Sequence, residues 1–132
     1  MHILVIGGSG HIGTYLVPEL VTAGYQVTVV SRGKRQPYQP HPAWTKVQQV
    51  HVERTALESD GVFGKQMAAI KPDGVIDLTC FDLPSARQLV EALQGQVRFF
   101  AHCGTVWVRG YGVRVPAGEE DARNPLTVYG QK

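Results

Sequence analysis

Near its start the chain reads Ile3-Leu4-Val5-Ile6-Gly7-Gly8-Ser9-Gly10-His11-Ile12-Gly13, and this stretch decides the fold. Its apolar residues predict a buried strand, and apolar residues at helical spacing follow the last glycine. Gly7 would turn the chain out of the strand, Gly10 would let backbone N–H groups approach a phosphate, and Gly13 would let the helix pack on the strand. Unpaired N–H groups and the positive dipole end of a helix attract anions. The stretch therefore predicts a strand, a phosphate-binding turn and a helix, as in a dinucleotide site.

Composition and charge fit a single soluble domain spanning residues 1–132. Of these residues 43% are hydrophobic and 18% charged, so the chain can bury one core. The net charge of +2 gives no reason to expect nucleic acid or an anionic membrane as a partner, and no apolar stretch has the length of a transmembrane helix. Met1 leads directly into the first predicted strand and leaves no room for a signal peptide, so we expect a cytoplasmic protein.

Cysteine and histidine spacing does not suggest a metal site. Cys80 and Cys103 have neither metal-ligand spacing nor the density of a disulfide framework, so we expect two reduced thiols. The five histidines are scattered along the chain, and a zinc site is not expected from them.

Strands alternate with helices after the glycine turn. A first helix contains Pro18 and stops at Gly24, and the β-branched run Val27–Val30 predicts the second strand. The alternation implies right-handed crossovers and a doubly wound parallel α/β sheet of Rossmann type, with strand order 3-2-1-4-5. The other predicted elements are a loop at Ser31–Trp44, strands at Val47–Val52, Val75–Leu78 and from Val97 to Phe100 or beyond, and helices at Leu57–Ile70 and Pro84–Leu93.

The end of the second strand predicts which dinucleotide binds. A carboxylate at this position accepts hydrogen bonds from the adenosine ribose of NAD, whereas a basic residue accommodates the 2′-phosphate of NADP. Here the strand ends in Ser31 and Arg32, followed by Lys34 and Arg35, and no carboxylate is present. The sequence favours NADP over NAD, with Arg32 as the best candidate for the phosphate. A solvated basic surface loop is the alternative interpretation.

Gly7, Gly10 and Gly13 have the spacing G-x-x-G-x-x-G. This pattern resembles that of the extended branch of the short-chain dehydrogenase/reductase superfamily, the NAD(P)-dependent epimerases and dehydratases. Later residues resemble this family's P-x-x-E and P-x-x-x-Y-G patterns, and Tyr129 falls on the catalytic tyrosine. The resemblance implies that its phenol exchanges a proton with the substrate oxygen while hydride moves to or from nicotinamide. The matching residues are Pro116, Glu119, Glu120, Pro125, Tyr129 and Gly130.

Further cofactor positions follow from the same resemblance. Glu53 stands where the family usually has an aspartate that contacts the adenine ring, and its longer side chain leaves that contact open. Thr79, Cys80 and Phe81 follow the fourth strand, where the backbone passes beside the ribose and nicotinamide. For the side chains of Cys80 and Phe81, simple packing is an equal alternative. Cys80 and Cys103 are expected close together at the carboxyl ends of strands four and five.

Two positions depart from the family pattern. Cys103 aligns with the catalytic serine or threonine, which leaves Thr105 as the nearest hydroxyl, and a thiol is the poorer hydrogen-bond donor. The lysine expected four residues after Tyr129 would be residue 133, whereas the last residue is Lys132. The resemblance therefore implies the amino-terminal, cofactor-binding part of a longer enzyme, without its substrate-binding region.

The functional expectation is a part of an NAD(P)-dependent epimerase, dehydratase or reductase. It would transfer hydride at a secondary alcohol or carbonyl of a small molecule, with a nucleotide-sugar as one candidate substrate. The alternative is a non-catalytic NADP-binding sensor or regulatory module. Strand five would be an uncovered apolar edge, so we expect a homo-oligomer, and no turnover from this polypeptide alone.

Overall fold

The computed structural model describes residues 1–105, 108, 110 and 118–124. This part of the chain contains five strands and four α-helices, with one short 3-10 helix at Pro42–Lys46 between the second and third strands. The strands are β1 (His2–Ile6), β2 (Gln26–Ser31), β3 (Gln48–His51), β4 (Gly74–Asp77) and β5 (Phe99–His102). The helices are α1 (Gly13–Thr22), α2 (Arg54–Ser59), α3 (Phe63–Ala69) and α4 (Leu83–Leu93).

The strands form one parallel sheet in the order β3-β2-β1-β4-β5, which confirms the predicted fold class and strand order. Each strand after β1 follows a crossover connection and pairs in parallel, so the carboxyl ends of all five strands meet at one edge. The order changes direction between β1 and β4, and ligands of doubly wound sheets bind at such a point. The fold therefore places the glycine turn after β1 beside the end of β4.

Both faces of the central strands β1 and β2 are buried, and alternate residues of each strand point to opposite sides. On one face Leu4 and Ile6 pack in a cluster with Phe63 of α3 and Leu89 of α4. On the other face Ile3 and Val5 pack with residues of β2 and with Val17 of α1. The continuous apolar runs of β1 and β2 are thus explained by contact with helices on both sides.

The helix predicted over Leu57–Ile70 is wrong in its boundaries. The structure has two helices instead, α2 and α3, separated at Gly61, which adopts φ +67°. A left-handed residue cannot continue a right-handed helix, and glycine adopts this conformation at little cost. The 3-10 helix at Pro42–Lys46 also lies partly within the predicted loop. Pro18 lies inside α1 without ending it.

Within the described residues, none of the helices has the length and apolar character that crossing a membrane requires.

Candidate functional site

The glycine turn has the geometry that its sequence predicts. Gly7 adopts φ +83°, and a Cβ at this residue would lie 2.3 Å from Cγ2 of Thr79. A Cβ on Gly13 would lie 2.1 Å from the carbonyl oxygen of Gly8, and one on Gly8 would lie 2.7 Å from Val29. Since real side chains do not tolerate such contacts, glycine is required where the turn meets β4 and where α1 packs on the turn.

Free N–H groups mark the start of α1. The N–H of Gly10 donates to Gly7 at 3.0 Å, and the N–H of Thr14 donates to Gly10 at 2.9 Å. Within the described part of the chain, the N–H groups of His11, Ile12 and Gly13 have no protein acceptor. These groups and the helix dipole provide the donors that a pyrophosphate needs.

A cleft of about 420 Å³ opens at the carboxyl edge of the sheet. It brings together the ends of β1, β2, β3 and β4, although Ile6 and Asp77, the last residues of β1 and β4, lie about 70 residues apart in the sequence. Most of the predicted cofactor residues lie on its wall. The lining comprises Ile6, Gly7, Ser9, Gly10, Val30, Ser31, Arg32, Gly33, Lys34, Arg35, Val52, Glu53, Arg54, Thr55, Phe63, Thr79 and Phe81.

Other predicted residues lie outside this lining. They are Gly8, His11, Ile12, Gly13, Cys80, Cys103 and Thr105. Gly8 and Gly13 instead form the packed contact beneath the turn, and the backbone N–H groups of His11 and Ile12 begin α1. Tyr129, together with Pro116, Pro125, Gly130 and Lys132, falls outside the residues that the structure describes.

The basic loop after β2 folds back onto α1. The backbone N–H of Tyr38 donates to the Thr14 hydroxyl at 3.0 Å, and its ring meets His11 edge to face with centroids 5.4 Å apart. These contacts fix the far end of the loop that carries Arg32 and Arg35. Both arginines are exposed on the cleft rim and, among the described residues, form no ion pair.

Lys34 and Glu53 face each other on the same rim. The Nζ atom of Lys34 lies 3.4 Å from Oε2 of Glu53, and their side chains are 68% and 48% exposed. Ser31, the last residue of β2, accepts a hydrogen bond from the N–H of Gly33 through its hydroxyl at 3.2 Å. The residues predicted to bind the 2′-phosphate therefore lie on one rim, but Lys34 is already paired with Glu53.

Arg54 organises the floor of the cleft and was missed by sequence reasoning. One NH1 nitrogen donates to both carboxylate oxygens of Asp77, at 2.8 and 3.0 Å, and to the Thr79 hydroxyl at 3.2 Å. The Nε atom donates to Glu58 at 2.6 Å, and NH2 donates to Ser85 at 3.0 Å. This Arg54 cluster (Arg54, Glu58, Asp77, Thr79 and Ser85) connects α2, β4 and α4.

Burial and charge make the Arg54 cluster strongly coupled. Asp77 is fully buried, and the Arg54 side chain is 14% exposed with its guanidinium 4.8 Å from the centre of the Phe63 ring. Burial lowers the pKa of Arg54, but hydrogen bonds and charge interactions with Asp77 and Glu58 outweigh it, so the net pKa is raised. The signal available in the sequence was Asp77 itself, because a carboxylate inside an apolar strand requires a partner.

The two cysteines differ in their surroundings. Both are free, Cys80 is buried and Cys103 is exposed. They follow the neighbouring strands β4 and β5, which confirms the predicted placement at adjacent strand ends. Ligating atoms of Asp77, Cys80 and His102 lie within 4.8 Å of one another. However, Arg54 holds both oxygens of Asp77, which neutralises the carboxylate that a cation would need.

A comparison of the sequence with protein-family models matches residues 3–132 to the NAD dependent epimerase/dehydratase family. The chain belongs to this family. Its glycine turn, parallel sheet and carboxyl-edge cleft are therefore the family's dinucleotide-binding architecture, as the resemblance in the sequence implied. Members of this family use a nicotinamide dinucleotide, which agrees with the donors at the start of α1.

Individual relatives include both a reductase and epimerases. The chain is 38% identical over 130 residues to a 2′-dehydrokanamycin reductase of Streptomyces kanamyceticus, a match that covers 98% of this chain and 35% of that protein. A crystal structure of a UDP-galactose 4-epimerase is 27% identical, with a TM-score of 0.77 over 99% of this chain and 47% of that one. A UDP-glucose 4-epimerase of Bifidobacterium longum in complex with NAD⁺ and UDP shares the fold at 19% identity, with a TM-score of 0.75 over 99% of this chain and 45% of that one. The chain thus spans less than half the length of these proteins.

Proposed function

We propose that residues 1–132 are the NADP(H)-binding part of an oxidoreductase that transfers hydride between the cofactor and a secondary alcohol or carbonyl. The family, the unpaired N–H groups at α1 and the glycine contacts at Gly7 and Gly13 support this proposal. The described residues fit a bound dinucleotide because the glycine turn packs tightly against Thr79 and Val29 and leaves the N–H groups of His11, Ile12 and Gly13 without a protein acceptor among the described residues. When bound, the nicotinamide supplies or accepts the hydride.

The observation that carries the NADP assignment is the cation-rich rim after β2. Arg32 and Arg35 are exposed on the cleft, without ion pairs in the described residues, and no carboxylate occupies the end of β2. Ser31 adds a hydroxyl beside them. A guanidinium can hold a phosphate through two parallel hydrogen bonds, so this rim favours a 2′-phosphate over a ribose hydroxyl.

Within this proposal each part of the cleft has a role. The turn Gly7–Gly13 binds the pyrophosphate, and Glu53 lies at the adenine end. Thr79 and Phe81 border the ribose and nicotinamide side, next to buried Cys80. Tyr129 is assigned the proton transfer to the substrate oxygen by its place in the family pattern, and Thr105 or Cys103 the supporting hydrogen bond.

For the substrate we propose only a chemical class. The reductase relative favours a carbonyl compound, and the UDP-sugar epimerases keep a nucleotide-sugar as the second candidate. The proposed homo-oligomer agrees with the exposed side chains of β5, which lies at the edge of the sheet formed by the described residues, because unpaired strand edges recruit other chains. A cytoplasmic location is part of the same proposal.

A non-catalytic NADP-binding module is the second candidate function. The observation that favours it is Cys103, an exposed thiol where the family has a hydroxyl. The two functions share cofactor binding and differ in turnover. The test measures oxidation of NADPH by carbonyl substrates in the longest natural protein that contains this chain. Turnover supports the oxidoreductase, and no turnover with any carbonyl substrate supports the non-catalytic module.

Calorimetric titration with NADPH and NADH tests the cofactor assignment. We expect NADPH to bind more tightly, and Arg32→Ala to weaken NADPH about tenfold while leaving NADH nearly unchanged, since a charge-assisted hydrogen bond contributes ~1.5 kcal/mol or more. Arg87→Ala is the matched control because Arg87 is exposed on α4 away from this cleft. Equal or tighter binding of NADH by the unmodified chain would overturn the assignment.

A further inference from the structure

The charges of the cleft are unequally distributed among its described lining residues. Four cations line it, Arg32, Lys34, Arg35 and Arg54, and the single carboxylate is Glu53. Arg54 already donates to Asp77, Glu58, Thr79 and Ser85 and is therefore not available to a ligand phosphate. Glu53 is thus the one group on this lining that opposes a phosphate by charge.

Neighbouring strands bring Glu53 and Lys34 to the same rim. Strands β2 and β3 pair in parallel, and beyond the last pair the N–H of Val52 donates to the carbonyl of Ser31 at 2.9 Å. Lys34 follows β2 by three residues and Glu53 follows β3 by two. Glu53 occupies the N-cap position of α2, but its side chain makes no capping hydrogen bond and is directed to Lys34 instead.

The exposure of this pair makes it easy to open. Ion pairs between exposed side chains contribute little, because water screens the charges and two long side chains must be ordered. A phosphate dianion that enters the rim offers Lys34 a stronger and more highly charged partner than one carboxylate. Exchange of Lys34 from Glu53 to the phosphate therefore costs little, but it leaves the Glu53 carboxylate unneutralised close to a second anion.

We propose that Lys34 and Glu53 are a specificity-determining pair that adjusts the size of the preference between NADP(H) and NAD(H). In the free protein Lys34 neutralises Glu53, and on binding of NADP(H) it turns to the 2′-phosphate. The carboxylate of Glu53 then acts against the phosphate and limits the selectivity that Arg32 and Arg35 provide. A cofactor without the 2′-phosphate leaves the pair intact. This inference rests on the proposed NADP(H) site and assigns the limit on its selectivity to two particular residues.

A double-mutant cycle tests the exchange. NADPH and NADH are titrated at low ionic strength into the unmodified chain, Glu53→Gln, Lys34→Gln and the double variant. We expect Glu53→Gln to tighten NADPH about threefold and to raise the NADPH to NADH affinity ratio, and Lys34→Gln to lower that ratio. Glu19→Gln and Lys65→Gln, both exposed and outside the cleft, are controls and should leave the ratio unchanged.

The cycle also separates exchange of partners from simple repulsion. If Lys34 leaves Glu53 for the phosphate, Glu53→Gln improves NADPH binding more when residue 34 is lysine than when it is glutamine, because the broken ion pair adds to the repulsion. An equal or larger improvement in the Lys34→Gln background would overturn the exchange. An unchanged NADPH to NADH affinity ratio in Glu53→Gln would refute the role of the Lys34–Glu53 pair but leave the NADP(H) assignment intact. Failure of the unmodified chain to prefer NADPH would refute that assignment itself.

Discussion

Replacing Arg54 with methionine tests the idea that a buried ion cluster forms the floor of the cleft. Methionine keeps the unbranched stem against the Phe63 ring but removes the guanidinium, which lies 4.8 Å from the ring centre. Asp77, fully buried, and Glu58, 19% exposed, then lose their positive partner. The clearest consequence is an uncompensated negative charge in the interior.

The expected loss of stability is large. Removing one partner of a buried ion pair costs about 3–5 kcal/mol, since the remaining charge stays desolvated. Small domains have unfolding free energies of about 5–15 kcal/mol, so Arg54→Met should remain folded only with a small margin. Urea denaturation followed by circular dichroism measures the change. Arg87→Met, at an exposed position of α4, is the control and should stay within about 0.5 kcal/mol of the unmodified protein.

A second substitution makes the test specific to charge. Asp77→Asn in the Arg54→Met background removes the buried charge and keeps a side-chain oxygen for the N–H of Thr79, which donates to Asp77 at 3.0 Å. The double variant should therefore be more stable than Arg54→Met by at least about 1 kcal/mol. The reasoning is refuted if Arg54→Met costs less than about 1 kcal/mol, or if Asp77→Asn gives no recovery.

Two further predictions concern the turn and the other end of the sheet. Gly13→Ala should destabilise the chain by about 1–3 kcal/mol and weaken NADPH binding, because its Cβ would lie 2.1 Å from the Gly8 oxygen. Gly104→Ala, with open space around it, is the control and should change neither quantity in calorimetry. Equal effects of the two substitutions would contradict the packing argument. The backbone N–H of His2 donates to Asp73 at 2.7 Å and lowers the pKa of that carboxyl. The resulting stability is present above the unfolded pKa of about 3.9 and is lost as the pH falls through the folded pKa, so the stability difference between the unmodified chain and Asp73→Asn should shrink in urea titrations below about pH 4. A constant difference from pH 7 to pH 3 would contradict it.

Local patterns in the sequence were sufficient for the fold. The apolar run before Gly7 and the β-branched run before Ser31 could be satisfied only by strands buried on both faces, and the structure buries them between α1 and the pair α3 and α4. Alternation of such strands with helices leaves few topologies, because parallel crossovers are right-handed. The sheet order and the position of the glycine turn were therefore predictable from the sequence.

Tertiary structure decided which charged residues of the cleft contact one another. Arg54 and Asp77 are 23 residues apart, and Lys34 and Glu53 are 19 apart, so no short-range periodicity relates them. Their contacts exist because parallel pairing gathers the ends of β2, β3 and β4 at one edge. The sequence alone determined the strands, the turn and the basic loop, since these follow from local backbone and burial preferences. The partners of the charged groups were decided by the folded sheet, because electrostatic energy depends on distance in space and on burial.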